Sequence, residues 1–304
     1  MRKKICSMVS EMMTAGDRQR DAGLVTPDDI QRFDDIAYGE HGKWNLLDVY
    51  RPKNMNADSL PVIFSVHGGG WVYGDKEVYQ YYCMELAKEG FVVVNFSYRL
   101  SPDIQYPEHL QDVDAAMHWT KEHIAEYGGD IERLCIIGDS AGGQMAAMYV
   151  CALTNAVCRE RLCLETPDVH VKGIVLNCGV YDLNDGMRRI DDSMPSEAGE
   201  LLIQGILGED YGEAEIALGK PADFVTEDFP RAYIMSSNGD FLLYQQHTML
   251  EALEKNGVPF EYHQYGDDNE TLWHVFHCNV RSEAAKICNK AECDFFRRCA
   301  EEDL

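Results

Sequence analysis

The sequence has few basic residues. There are 27 Lys and Arg against 52 Asp and Glu, which gives a formal net charge of −25, and no basic stretch compensates for it. Because phosphate backbones and anionic lipid headgroups attract cationic surfaces, this balance argues against nucleic acid, acidic membrane surfaces and polyanionic substrates as partners. The composition predicts a solvated acidic surface.

Long apolar runs are also missing. No segment approaches the ~18 apolar residues that a membrane-spanning helix needs. The N-terminus opens with the basic run Met1–Lys4, but residues 5–20 are interrupted by Ser, Glu, Asp and Arg and form no apolar signal-peptide core. We therefore expect a cytoplasmic protein that does not associate with membranes.

The cysteines lack the spacing of a disulfide framework or a metal site. Their number is odd, 11, and no C-x-x-C pair occurs. Cys135, Cys151 and Cys178 lie inside apolar runs, where cysteine behaves as a small hydrophobic residue. This usage favours a reducing compartment and predicts no cysteine-based metal site.

Short apolar segments alternate with helical patterns along most of the 304 residues. Strands separated by helices of this length predict βαβ units and a mostly parallel sheet within one domain, 1–304. The predicted strands are 61–66, 91–96, 134–137, 171–177, 232–236 and 260–263, and the predicted helices are 78–89, 107–127, 143–150, 244–256 and 282–300.

Two regions depart from this alternation. Residues 1–30 predict one or two short helical segments, with Thr26-Pro27-Asp28-Asp29 resembling a helix start. An antiparallel hairpin is predicted from strands at 34–38 and 46–50. The acidic stretch 180–228 is predicted to be an insertion that contains an amphipathic helix at 201–207.

The segment Gly138-Asp139-Ser140-Ala141-Gly142 follows a buried strand and opens a helix. This is the G-x-S-x-G pattern of a nucleophile elbow, in which a strained turn raises the serine hydroxyl above the sheet at a helix N-terminus. Taken alone, the pattern fits a glycine-rich turn with a capping serine equally well.

A second glycine motif, His67-Gly68-Gly69-Gly70-Trp71, comes directly after the strand that ends at Val66. Its amides can approach a ligand closely and hold the negative charge that develops on a carbonyl oxygen during acyl transfer. The amide of Ala141 would be a third donor. Together with the elbow, this loop favours acyl-transfer chemistry over a simple flexible turn.

A serine nucleophile needs a base oriented by a carboxylate, and in elbow enzymes the acid and then the base follow the serine along the chain. Asp240 follows the strand at 232–236, and His274 lies in the loop before the last helix. We predict these as acid and base. His277, at i+3 from His274, could instead indicate a metal pair, but no matching ligand cluster accompanies it.

Other polar residues near these motifs have simpler interpretations. His263 lies within a strand, where packing is expected, and Asp267 and Asp268 lie in a Gly-Asp-Asp-Asn turn. Asp139 is expected to brace the elbow rather than polarise the histidine.

The chain resembles the hormone-sensitive-lipase-like branch of the α/β-hydrolases from about Leu47 onward. The motifs that carry the resemblance are His67–Trp71, Tyr98-Arg99-Leu100-Ser101-Pro102, Tyr106-Pro107, Asp112-Val113, Gly138–Gly143, Asp240 and His274-Val275-Phe276. The family has a mostly parallel central sheet flanked by helices, with a helical cap over the active site. That cap would correspond here to about 1–40 and about 180–228.

The resemblance implies hydrolysis of small or short-acyl carboxylic esters without a cofactor or metal. It assigns Ser140 as nucleophile, His274 as base and Asp240 as acid, with Gly69, Gly70 and Ala141 as the oxyanion hole. Two residues depart from the family pattern: Val275 replaces a glycine, and Phe241 stands where a proline commonly follows the acid.

Several alternatives stay open at this stage. The same machinery could act on an amide, a formamide or a sugar acetyl ester, and a dead hydrolase scaffold could bind a ligand without turnover. Trp71, Tyr73, Phe241 and Trp273 are candidate pocket walls or, equally, plain packing. A small-molecule ester is the expected partner, and a homo-oligomer is compatible with the sequence.

Overall fold

An eight-stranded sheet forms the centre of the computed structural model, which describes residues 1–55, 59–188 and 196–301. The strand order is β1-β2-β4-β3-β5-β6-β7-β8, and only β2 runs antiparallel to its neighbours. The strands are β1 (Ile30–Ala37), β2 (Leu46–Pro52), β3 (Leu60–Val66), β4 (Val92–Phe96), β5 (Gly129–Asp139), β6 (Val171–Asn177), β7 (Ala232–Ser237) and β8 (Phe260–Tyr265). The mostly parallel sheet and the N-terminal hairpin are confirmed.

Helices cover both faces of this sheet. They are α1 (Arg2–Asp21), α2 (Lys76–Lys88), α3 (His109–His123), α4 (Ser140–Thr154), α5 (Ala156–Leu162), α6 (Leu183–Arg188), α7 (Ser196–Leu207), α8 (Glu213–Leu218), α9 (Gln246–Lys255) and α10 (Glu283–Glu301). Successive side chains of β3 alternate between two apolar cores: Val62 and Phe64 face the core that includes α3 and α4, whereas Ile63 faces the core that includes α2 and α10. Burial on both faces explains the near-continuous apolar run.

The N-terminal region differs from the prediction in two ways. Residues 2–21 form one helix of 20 residues, longer than the one or two short helical segments predicted. The segment Thr26–Asp29 starts no helix but leads into β1, and the Lys53 amide donates to the Asp29 carbonyl at 2.7 Å. Pairing with the end of β2 satisfies the backbone there, so the tertiary context overrides the local capping signal.

Helix α1 packs against α7, which lies in the predicted insertion. Close approach requires a small residue on α7, because a Cβ at Gly205 would lie 2.7 Å from the Cys6 sulfur. The chain before the first strand and the chain after β6 therefore meet. None of the helices in the described ranges has both the length and the apolar character needed to cross a membrane.

Glu292 on α10 is a fully buried carboxyl with neutral partners. It accepts hydrogen bonds from the Tyr82 hydroxyl (3.2 Å) and the Cys288 thiol (3.1 Å). Burial raises the pKa of Glu292 to about 7, and these hydrogen bonds offset only part of that effect. The folded protein therefore holds a proton that the unfolded chain releases near pH ~4.3.

We expect this buried proton to make stability fall as pH rises from about 4 to about 7, because over that range only the folded state binds it. Glu292→Gln keeps the shape and removes the titration, so its free energy of unfolding should fall less than that of the wild type across this range. Urea unfolding at several pH values measures both curves. A variant whose stability follows the wild-type pH curve would contradict the assignment.

Candidate active site

Ser140 lies at the turn between β5 and α4, in the left-handed backbone region at φ +51°. Such a conformation is strained for a residue with a side chain and persists only where the surroundings impose it. Gly142 supplies the room, because a Cβ there would lie 2.2 Å from the Val66 carbonyl oxygen. The strand, turn and helix are arranged as the sequence predicts for a nucleophile elbow.

Three side chains from distant parts of the chain form a continuous hydrogen-bonded series. The Ser140 Oγ lies 2.9 Å from His274 Nε2, and His274 Nδ1 lies 2.7 Å from Asp240 Oδ1. The structure thus brings together the predicted nucleophile, base and acid. Their order permits the histidine to take a proton from the serine while the carboxylate holds the other ring nitrogen.

Asp240 is held as a carboxylate. Its side chain is completely buried, and it also accepts hydrogen bonds from the Ser236 hydroxyl (2.7 Å) and the Leu242 amide (2.9 Å). Burial alone would raise the pKa of this carboxyl, but the hydrogen bonds from His274, Ser236 and Leu242 outweigh burial and leave the pKa below its ordinary value. The group facing the imidazole is therefore ionised at neutral pH.

The residue after the histidine has an unusual backbone. Val275 adopts φ +52°, the left-handed region that a β-branched side chain rarely enters, at a cost on the order of 1–2 kcal/mol. The resembled family has glycine at this position, which adopts such angles without strain. Valine in place of glycine therefore bears this strain and adds an isopropyl group to the cavity wall.

The tri-glycine loop lies beside the serine. Gly69 has φ +119°, and a Cβ there would lie 2.1 Å from the Tyr73 carbonyl oxygen, so only glycine fits. Its carbonyl accepts the Val72 and Tyr73 amides. Within the part of the chain that the structure describes, the amides of Gly69 and Gly70 donate to no backbone or side-chain acceptor. Both donors are therefore available to a ligand.

Asp139 ties this loop to the elbow. It accepts hydrogen bonds from the Gly68 amide (3.0 Å) and the Tyr79 hydroxyl (2.7 Å). Burial raises the pKa of Asp139 to about 6, and the Tyr79 hydrogen bond opposes that rise. Neither of these hydrogen bonds involves His274, which fits the bracing role expected for Asp139 from the sequence.

A cavity of about 250 Å³ lies over Ser140. One wall comes from α1, through Met13, Gly16, Asp17 and Arg20, and the opposite walls include Gly69, Tyr73, Tyr79, His274 and Val275. The Tyr73 hydroxyl donates to Asp17 at 2.8 Å. Sequence reasoning placed the N-terminal segment over the site but identified none of these α1 residues, because helical periodicity does not say which face meets a distant loop.

Arg20 connects α1, which forms this wall, to α2. Its guanidinium makes two hydrogen bonds of 2.7 Å with Asp21 and donates to the Val78 carbonyl at 2.9 Å. The charge of Arg20 is thus satisfied by protein groups rather than directed at the serine.

The four candidate pocket aromatics have different positions. Tyr73 lines the cavity, and the Phe241 ring lies 4.5 Å from the His274 ring. Trp71 instead is completely buried, with its ring 6.3 Å from that of Tyr106, and its backbone is left-handed at φ +60°. Trp273 is 69 % exposed. The suggested wall role is therefore corrected for Trp71, and Trp273 does not line this cavity.

The competing polar residues lie in packing or turn environments, as expected, but His277 also has possible ligand atoms of Asp139 and Cys278 within 4.8 Å, a group that the sequence did not indicate. His277 is fully buried with its ring 5.0 Å from Tyr82, and burial lowers the pKa of its imidazole to about 3. His263 stacks on Tyr233 at 4.5 Å. The Asp267 carboxylate accepts amides of its own turn. None of these three takes part in the series that begins at Ser140.

The parallel sheet, the elbow and the ordered Ser–His–Asp series define an α/β-hydrolase. The chain belongs to the BD-FAE family, whose model matches residues 47–253. The predicted resemblance to hormone-sensitive-lipase-like hydrolases is confirmed by this match and by relatives that are named esterases.

Among those relatives, the chain is 33 % identical to the probable carboxylic ester hydrolase LipM of Mycobacterium tuberculosis over 218 residues, 69 % of this chain and 48 % of LipM. It is 28 % identical to the versiconal hemiacetal acetate esterase of Dothistroma septosporum, over 70 % of this chain and 67 % of that enzyme. The chain thus spans about half or less of the mycobacterial relatives LipM and LipQ.

Solved structures share the fold at lower identity. Esterase B from Lactobacillus rhamnosis superposes with a TM-score of 0.90 at 22 % identity, covering 99 % of this chain and 97 % of that one. A bacterial heroin esterase gives a TM-score of 0.75 at 22 % identity, covering 96 % and 91 %.

Proposed function

We propose that this chain is a serine carboxylesterase that hydrolyses small or short-acyl carboxylic esters through an acyl-serine intermediate. The observation that carries the proposal is the hydrogen-bonded series Ser140–His274–Asp240, with distances of 2.9 and 2.7 Å. The family match and the esterase relatives support the same reaction.

In the first half-reaction, Ser140 Oγ attacks the ester carbonyl carbon as His274 Nε2 accepts the hydroxyl proton. The negative charge on the carbonyl oxygen is stabilised by the amides of Gly69, Gly70 and Ala141; each such donor contributes on the order of 3 kcal/mol to the transition state. His274 then gives its proton to the departing alkoxide. Asp240 stabilises the imidazolium that forms in between.

The second half-reaction uses the same groups. His274 takes a proton from a water molecule, whose oxygen attacks the acyl carbon and forms the acid. The ester bond to Oγ breaks, and the proton returns from His274 to Ser140. No cofactor enters the balance, since one ester and one water give one acid and one alcohol.

We further propose that α1 and the helices of 180–228 act as a cap on a single hydrolase domain, 1–304. The contact between α1 and α7 and the α1 wall of the cavity support this arrangement. The cap then sets the size and polarity of the space above Ser140.

The volume of the cavity over Ser140 limits the acyl groups that fit. A cavity of about 250 Å³ is below the usual range for drug-sized ligands, ~300–1,000 Å³. Val275 narrows it beside the histidine, and the Asp17 carboxyl on the α1 wall is paired with Arg20 at 2.9 Å. Small acyl groups are therefore favoured over long ones. The name of the Dothistroma relative, an acetate esterase, agrees with a short acyl group.

A panel of p-nitrophenyl esters tests the proposal. We expect the highest kcat/KM on acetate and butyrate, with a decline for longer chains that no longer fit. An aryl amide and an acetylated oligosaccharide belong to the same panel. Amide turnover without ester turnover would overturn the ester assignment, and absence of any turnover would favour a binding protein on a hydrolase scaffold.

A further inference from the structure

A thiol that the proposed mechanism does not use lies against the Asp240–His274 pair. Cys178 follows β6 directly, is fully buried and adopts φ +49°, another left-handed residue with a side chain. Its amide donates to the Met235 carbonyl at 2.7 Å, which fixes the backbone. The thiol, a carboxylate oxygen of Asp240 and a ring nitrogen of His274 all lie within 4.8 Å of one another.

This donor set is one that zinc prefers. Zn²⁺ binds Cys sulfur at ~2.3 Å, His nitrogen at ~2.0 Å and carboxylate oxygen at ~2.0–2.2 Å in a tetrahedral arrangement, so its ligand atoms stand roughly 3.3–3.8 Å apart. The three ligand atoms around Cys178 lie within 4.8 Å of one another, and Asp240 Oδ1 and His274 Nδ1 are 2.7 Å apart in their hydrogen bond. A zinc ion held by all three must therefore break that hydrogen bond and move the two side chains apart. Three protein ligands leave a fourth position for water.

The site has a route to the surface. The His274 side chain is 20 % exposed and lines the cavity over Ser140. A second group of Asp139, His277 and Cys278 has comparable spacing, but all three of its residues are buried. Each group has one member on the cavity wall, His274 in the first and Asp139 in the second, and of these His274 is the partly exposed one, so an ion that enters the cavity contacts His274 more readily than Asp139.

We propose that Cys178, Asp240 and His274 form a Zn²⁺ site whose occupation switches the esterase off. The inhibitory consequence rests on the proposed function, whereas metal binding itself does not. No single segment could reveal this site, because its ligands come from three loops that only the sheet brings together.

Inhibition follows from the histidine tautomer. In the active arrangement, His274 carries its proton on Nδ1, next to Asp240, and accepts the Ser140 proton on Nε2. Zinc at Nδ1 moves that proton to Nε2, where it blocks acceptance from the serine. The Cys178 S–H bond breaks, a sulfur–zinc bond forms and one proton goes to solvent. The two negative ligands then balance the two charges of the ion.

The experiment uses the full chain, first treated with EDTA and then titrated with Zn²⁺ or Co²⁺. We expect Zn²⁺ to abolish ester turnover and EDTA to restore it. Co²⁺ should produce a near-ultraviolet thiolate-to-cobalt charge-transfer band. In Cys178→Ser and Cys178→Ala the band should vanish, and inhibition should weaken by more than about 100-fold, which exceeds the ~10–100-fold that loss of an outer hydrogen bond to a ligand causes.

Two cysteine variants serve as controls. Cys163→Ser removes the exposed thiol and Cys278→Ser removes the thiol of the buried second group, and both should keep the band and the inhibition. Circular dichroism checks that each variant is folded. The proposal is overturned if Zn²⁺ inhibits both Cys178 variants as strongly as wild type, or if Cys278→Ser alone loses the cobalt band. Absence of ester turnover before metal is added would refute the proposed function, while the cobalt titration would still test the site.

Discussion

Substitution of Ser140 by alanine is expected to lower kcat on the preferred ester by roughly 10⁶-fold, the loss seen when a serine hydrolase loses its nucleophile. The hydroxyl is the acyl acceptor that His274 can deprotonate, at 2.9 Å, and alanine offers no replacement. The Gly69 and Gly70 amides remain, so a residual rate of roughly 10³–10⁴ over the uncatalysed reaction should persist. KM should change little, because the cavity loses only one oxygen atom.

Steady-state kinetics and labelling with a fluorophosphonate probe measure this loss together. The wild type should carry one covalent adduct, located at Ser140 by mass spectrometry, and Ser140→Ala should carry none. Ser65 provides a matched control, since it is a buried serine on β3, away from the cavity. Ser65→Ala should label like the wild type. Ester turnover by Ser140→Ala within about tenfold of wild type would refute the nucleophile assignment.

The two glycine motifs were predictable because close approach of another backbone segment excludes every other residue type at fixed positions. Gly142 must lack a Cβ, since the Val66 and His67 carbonyl oxygens lie where it would be, and Gly69 must lack one because of Tyr73. Such requirements leave a fixed pattern in the sequence. The buried parallel strands were predictable for a similar reason, because burial on both faces demands an unbroken apolar run.

Features that require no particular residue type at a fixed position were missed or wrong. Trp71 follows the glycine loop, so a wall of the pocket was a reasonable expectation, yet its ring packs on Tyr106, 35 positions further along the chain. The α1 wall, with Asp17 and Arg20, forms only because α1 meets α7 and the loop that holds Tyr73. No local pattern encodes which of several polar helix residues will face a cavity.

The helix start predicted at residues 26–29 was wrong because pairing with a strand competes with helix capping there. Thr26-Pro27-Asp28-Asp29 has the composition of a helix start, but the Asp29 carbonyl accepts from Lys53 and the chain enters β1. A capping interaction contributes only ~1 kcal/mol, which is less than several hydrogen bonds of a strand pair together. Local propensity therefore gives way where a neighbouring strand is already in place.

His274→Ala should also lose about 10⁶-fold in kcat, whereas His277→Ala should retain the rate within about tenfold. The two histidines are three residues apart, but only the first lies 2.9 Å from Ser140 Oγ. His277 is fully buried, and burial lowers the pKa of its imidazole to about 3, so it is neutral and serves packing against Tyr82. Its removal should leave a cavity and lower the free energy of unfolding by ~2–4 kcal/mol.

The contrast separates chemistry from stability when kcat and urea unfolding are measured on both variants. The double variant Ser140→Ala/His274→Ala adds a further check: because the two groups act on one proton, its rate should equal that of either single variant rather than the product of their losses. If His277→Ala were inactive but stably folded while His274→Ala kept its rate, the base would have to be His277. The Asp240 carboxylate, 2.7 Å from His274 Nδ1, would then orient a histidine that takes no part in the reaction. The buried and ionised state of Asp240 argues against that arrangement.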